Sequence, residues 1–264
     1  MSPTKRNVKA KWPGFTTDLL RGDGEHADRV SFLELFFDLV FVFAVTQISH
    51  TLVHSIDDGH ALDGGLQATV IILAVWWVWV YTAWVTNWLD PDKAAVRWML
   101  IILMVLGLLM STSIPEAFGD RALLFVSAYV AMQVGRAIFT ILSMVRFVPE
   151  NALNVTRLTI WFCVSAIFWF WGALTEDLTA RLVLWGVAIV IEYLGPVSRY
   201  WVPGLRSSYI GGIPIRGGHM SERAGLFVII AIGESVLVTG TAFADHPIDL
   251  PNTLAFFASI TGSI

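Results

Sequence analysis

Residues Phe32 to His54 read FLELFFDLVFVFAVTQISHTLVH, an unbroken 23-residue apolar run that carries two acids, Glu34 and Asp38. A helix of about 20 apolar residues crosses the hydrocarbon core of a bilayer, so this stretch reads as a membrane span. Six further runs of the same kind follow, near Leu66–Trp88, Trp98–Ile114, Ala122–Val145, Leu158–Leu174, Leu182–Tyr200 and Ala224–Phe243. An eighth begins at Thr253 and stops, still apolar, at Ile264. The expected fold is therefore all-α: a polytopic transmembrane helix bundle of seven spans plus a truncated eighth. Residues 32–264 form that domain, C-terminally truncated, and 1–31 precede it.

Composition agrees with this reading. Of 264 residues, 56% are hydrophobic and 14% charged, against about 25% charged in soluble domains. A disordered chain and an ordinary water-soluble enzyme are both excluded, and no nucleic-acid partner is expected. The one cysteine, Cys163, excludes an internal disulfide, a thiolate zinc site and a CxxCH haem attachment.

Orientation follows from Lys and Arg, which accumulate on the cytoplasmic side. With the N-terminus cytoplasmic, that side receives Lys5, Arg6, Lys9, Lys11, Arg21 and Arg29, then Lys93, Arg97, Arg146, Arg157, Arg199, Arg206, Arg216 and Arg223. Only Arg121 and Arg181 fall outside, beside acids such as Asp57, Asp58, Glu116 and Glu176. The expected location is a bacterial inner membrane, crossed many times. No cleavable signal peptide is apparent, because the first apolar run contains Glu34 and Asp38 and lacks a small-residue cleavage site. The polar leader, with Pro13, Gly14, Gly22 and Gly24, reads as a flexible cytoplasmic arm. Residues 201–218, rich in glycine, read as a plain loop rather than a re-entrant segment.

Charges inside spans are the informative residues, since each is costly at mid-membrane unless paired or hydrated. They are Glu34 and Asp38, Arg136, Glu192 and Glu234. Glu34 and Asp38, four apart, share one helix face. All five fall in the cytoplasmic half of their spans, four acids against one base. Two readings stand: a structural network built around Arg136, or a proton or cation pathway with Arg136 as counter-charge. The surplus of acid favours the pathway. At the mouth of the seventh span stand His219, Glu222 and Arg223; alone, Arg223 reads as an interfacial anchor. Outside, His50 and His54 have the i,i+4 spacing of a shared metal site, with Asp57, Asp58 and His60 following, although no HExxH appears. Five tryptophans crowd the second span, Trp76, Trp77, Trp79, Trp84 and Trp88. Helix-packing bulk accounts for them better than an aromatic cage for a cation.

Absences narrow the chemistry further. All four lysines lie outside the spans, which excludes a retinal or pyridoxal Schiff base within them. There is no GxxxxGK[ST], GxGxxG or GxSxG, so no cofactor is expected and the reading points away from an enzyme. Asn154-Val155-Thr156 matches a glycosylation sequon on the side where glycosylation does not occur.

Two segments carry a resemblance. Glu34 to His50, ELFFDLVFVFAVTQISH, is similar to the first-helix signature of the bacterial low-temperature-requirement A family. His219 to Ser235, HMSERAGLFVIIAIGES, resembles its second signature. The order and separation of the two agree with the family, and so does an all-helical membrane region between them; Ala224 departs from the aromatic common there. The resemblance implies that Glu34, Asp38, His219, Glu222, Arg223 and Glu234 are signature polar residues, and it implies a membrane protein longer than this chain. It assigns no substrate, reaction or cofactor. Three functions remain in view: a secondary transporter or channel for protons or a small cation, a non-transporting membrane scaffold or cold-adaptation factor, and an intramembrane metalloenzyme at His50 and His54. Sequence leaves the oligomeric state open.

Overall fold

The computed structural model describes residues 15, 17–22, 29–205, 207, 215–244, 253–254, 257–258 and 261–262. Seven long helices run through them: α1 (Phe32–Asp57), α2 (Ala61–Trp88), α3 (Ala94–Ser113), α4 (Ala122–Met144), α5 (Pro149–Leu174), α6 (Leu178–Val197) and α7 (Gly217–Ala244). A single 3₁₀ turn, Ile114–Glu116, follows α3. No strand occurs among the described residues; one isolated antiparallel bridge joins Leu20 to Leu89. All seven helices are long and apolar enough to cross a membrane, and the chain is a multi-pass membrane protein. The eighth run and most of residues 201–218 lie outside the described residues.

Helix ends differ from the apolar runs in two informative places. α5 starts at Pro149, nine residues before the run at Leu158, because Pro at the first helical turn loses no bond there. α7 starts at Gly217, so the polar stretch His219–Arg223 is helical rather than a loop at the mouth. Hydropathy is blind to a helical turn whose side chains are polar, however well protein covers it.

α2 is the hub, packing against α1, α4, α6 and α7, while α1 also packs on α3 and α7, and α4 lies between α3 and α5. Its mixture of Val, Ile, Ala and Trp on every face suits a helix surrounded by others. The core between helices is aromatic: Phe125, Tyr129, Trp169 and Trp185 form one cluster, with Trp169 and Trp185 ring centres 5.2 Å apart. The tryptophans of α2 serve packing. Trp77 stacks on Tyr193 at 3.9 Å and Trp76 on Trp79 at 5.0 Å. Trp84 and Trp88, with Tyr81 and Tyr200, line an apolar cavity of about 180 Å³. Tyr200, past the end of α6, packs its hydroxyl on that of Tyr81, and burial pushes its phenol well above the ordinary range.

α7 stands apart. Its apolar window has no buried residue, against 28% to 50% in the other six helices. Its described contacts with the bundle are its polar first turns and Phe227, whose ring centre lies 4.9 Å from that of Trp79.

Candidate functional site

α1 opens with a capping box. The Ser31 hydroxyl accepts from the Glu34 amide at 3.2 Å, and Glu34 Oε2 accepts from the Ser31 amide at 2.8 Å. The box holds Glu34 at the N-terminal turn, and one helical turn later the same face presents Asp38. Both carboxylates are fully buried.

They meet α7. Arg223, also fully buried, donates from Nη2 to Asp38 Oδ1 at 2.8 Å and from Nε to Oδ2 at 3.2 Å. Its Nη1 reaches Thr86 Oγ1 at 2.6 Å and lies 3.5 Å from Glu34 Oε1. Phe37 and Trp79 flank the guanidinium, with ring centres 5.5 and 5.8 Å from Cζ. Trp79 Nε1 gives Asp38 Oδ1 another bond of 2.7 Å. Arg223 is therefore no interfacial anchor: it is the counter-charge of the α1 acids, the role that the sequence reading assigned to Arg136.

His219, one turn earlier on α7, is fixed by Asn87. The Asn87 amide pairs with the backbone of Arg216, accepting from its N–H at 2.9 Å and donating to its carbonyl at 3.1 Å. That orientation leaves Asn87 Nδ2 to donate to His219 Nδ1, 3.1 Å away. The network assigns the proton of a neutral imidazole to Nε2, which lies 3.1 Å from Glu34 Oε1. Arg21 of the leader completes the centre, its Nη2 3.3 Å from Glu34 Oε2.

A second centre lies among α4, α5 and α6. Glu192 Oε1 accepts from Ser165 Oγ at 2.7 Å and Trp169 Nε1 at 3.0 Å, while Oε2 accepts from Tyr129 at 2.5 Å. Three neutral donors thus hold one buried carboxylate. Arg136 makes no ion pair with it. Its guanidinium donates to the Val78 carbonyl at 3.0 Å, to Thr82 Oγ1 at 2.9 Å and to Gln133 Oε1. Gln133 in turn donates to Tyr129, which relays the link to Glu192. The two centres meet on one face of α2, where Arg136 holds Thr82 and Arg223 holds Thr86, four residues on.

The other candidates fall elsewhere. Glu234 is half-exposed on the apolar part of α7, with no hydrogen bond or ion pair among the described residues. Glu222 is exposed and lines an open vestibule of about 1000 Å³, together with Arg21, Arg29, Arg97, Asp90 and Asp92. His50 is exposed, and His54 Nδ1 lies 3.3 Å from Asp58 Oδ2 on the surface. No group of three metal-ligating side chains occurs among the described residues.

The sequence reading missed Arg21, Thr86, Asn87 and the three donors to Glu192. For Ser31 a signal was present, since Ser31-x-x-Glu34 is the capping-box pattern. Counting Arg21 and Arg223 with Arg136 also changes the charge balance: the four acids stand against three guanidiniums rather than one.

The sequence model for "Bacterial low temperature requirement A protein (LtrA)" matches residues 29–264. The chain is 44% identical over 224 residues to "Uncharacterized protein RA0937" of Rhizobium meliloti (strain 1021), covering 85% of this chain and 54% of that protein. The chain thus spans about half the length of the curated relative that it matches. No solved structure matches it. With the family model covering nearly the whole chain, and both signature segments meeting at one buried centre, the protein belongs to the bacterial low temperature requirement A family.

Proposed function

We propose that the protein is a secondary transporter or channel for protons or a small cation, with Glu34, Asp38, His219 and Arg223 as its working centre. The observation that carries this reading is the placement of two fully buried carboxylates and one guanidinium at the joint between α1 and α7, beside an open vestibule. Loading either carboxylate with a proton or cation weakens its hold on Arg223. Among the described residues the contacts of Arg223 with Asp38 and Glu34 and of His219 with Glu34 join α7 to α1, so loading the site weakens that joint. Buried acids within spans serve this way in proton relays and ion pathways. Glu192 and Arg136 supply a second polar level through the Thr82–Thr86 face, and Glu234 a further acid along α7. In this reading the N-terminus and vestibule face the cytoplasm across a bacterial inner membrane, an orientation that the arginine bias supports.

A second reading has its own support. Every charge at the α1–α7 centre has a partner of opposite sign, as in a scaffold whose ion pairs dock one helix. Reconstitution of the intact protein in liposomes separates the two. A transporter moves protons, Na⁺ or K⁺ down an imposed gradient, and Glu34→Gln or Asp38→Asn stops the flux while the protein stays folded. A scaffold gives wild-type vesicles no flux of any of the three, and the same substitutions then alter stability alone.

A further inference from the structure

The leader is not a free arm where it is described. Phe15 donates its amide to the Leu142 carbonyl at 3.1 Å and packs its ring on Phe139, with centres 5.3 Å apart. Leu19 is buried, and its carbonyl accepts from the Asp90 amide at 2.9 Å. Leu20 pairs with Leu89 as an antiparallel bridge, and the Arg21 amide donates to the Trp88 carbonyl at 2.9 Å. Residues 17–22 thus form a strap along the end of α2, tied to it by backbone, while Phe15 reaches α4.

This strap aims one side chain inward. Arg21 is only 8% exposed, with Nη2 3.3 Å from Glu34 Oε2 and 3.5 Å from the Arg29 carbonyl. Its Nη1 is buried and has no hydrogen-bond partner among the described residues. An orphaned buried donor is costly. Arg21 also lines the vestibule, so it stands between that space and Glu34. Glu34 divides its oxygens accordingly: Oε1 faces His219 and Arg223, and Oε2 faces the Ser31 amide and the strap.

We infer that the Arg21 guanidinium is a tethered occupant of a cation site formed by Glu34 Oε2 and the Arg29 carbonyl, and that withdrawal of the strap opens this site to a small monovalent cation from the vestibule. Charge sets the valence. Without Arg21, Glu34 and Asp38 carry two negative charges against one on Arg223, and one positive charge restores balance. The inference rests on the reading of Glu34 as a working carboxylate, and it adds the regulation of that site.

The test is carbodiimide-driven coupling of an amine to Glu34 in the intact reconstituted protein, read by mass spectrometry. Arg21→Ala is expected to raise the coupling rate about tenfold, the scale of one lost hydrogen bond to a charged group. Millimolar guanidinium then returns that rate toward wild type, and Arg21→Lys stays near wild type throughout. Coupling at the wild-type rate in Arg21→Ala, or a rate insensitive to guanidinium, overturns the inference. Should Arg21→Ala fail to fold, a disulfide between Leu20→Cys and Leu89→Cys, in a Cys163→Ser background, locks the strap, since bridge partners lie within disulfide reach. The oxidised form is expected to couple Glu34 more slowly than the reduced form, and equal rates overturn the inference. Coupling needs no transport. Absence of flux with the coupling pattern intact removes the transporter and keeps the tethered-cation site; flux with an unchanged coupling pattern does the reverse.

Discussion

Replacing Arg223 with Met removes the charge and keeps most of the side-chain volume between Phe37 and Trp79. Glu34 retains the Ser31 amide, His219 and Arg21. Asp38 loses every charged donor and keeps only Trp79 Nε1. Breaking a buried ion pair from one side costs about 3–5 kcal/mol, because the remaining charge is stranded, and Asp38 is such a charge. Asp38→Asn costs less, since Arg223 still has Thr86 and Glu34. The double variant Asp38→Asn/Arg223→Met strands nothing at position 38, and its cost falls below the sum of the singles by about 1–3 kcal/mol. Unfolding in mixed micelles, followed by tryptophan fluorescence, measures all three, with Trp79 as a reporter beside the site. Salt has little influence, because the pair is sealed from solvent and poorly screened. Additive single-mutant effects, or a cost below about 1 kcal/mol for Arg223→Met, refute the assignment of Arg223 as the ion that docks α7.

Other outcomes follow from the same geometry. At Gly172 an added Cβ falls 2.5 Å from Trp185 Cδ1, against a ring that is fully buried and bonded to the Trp169 carbonyl; Gly172→Ala is expected to cost about 1–3 kcal/mol in a thermal melt. Glu192→Leu strands the Trp169 Nε1–H and the Tyr129 hydroxyl, while Ser165 keeps the Phe162 carbonyl, and is expected to destabilise by about 1–3 kcal/mol per orphaned group, whereas Glu192→Gln, which keeps an acceptor, costs clearly less. Glu234→Gln breaks no bond among the described residues, so it is expected to change stability by less than about 0.5 kcal/mol. Under the transport proposal it abolishes flux all the same, and liposome flux beside a melt separates the two effects.

The first seven spans were legible because each span is a local property: apolar length against bilayer thickness. The shared face of Glu34 and Asp38 was legible too, since helical period alone puts i and i+4 together. Pairing was not legible. Arg223 lies 185 residues from Asp38, and nothing in the period of either helix says that they meet. A polar turn at the start of an apolar run looks interfacial to any hydropathy reading, yet α7 begins at Gly217 and carries His219 and Arg223 into protein. Arg136, alone within a span, looked like the counter-charge; its partners are instead a carbonyl and two neutral side chains on α2 and α4. By itself the sequence determined that the chain is a bundle of membrane helices and which helices carry acids, because apolar length and helical period act within one segment. Only the tertiary structure decided which cation answers which acid, and that the leader adds one of them, because partners in a bundle are set by packing between segments far apart in the chain.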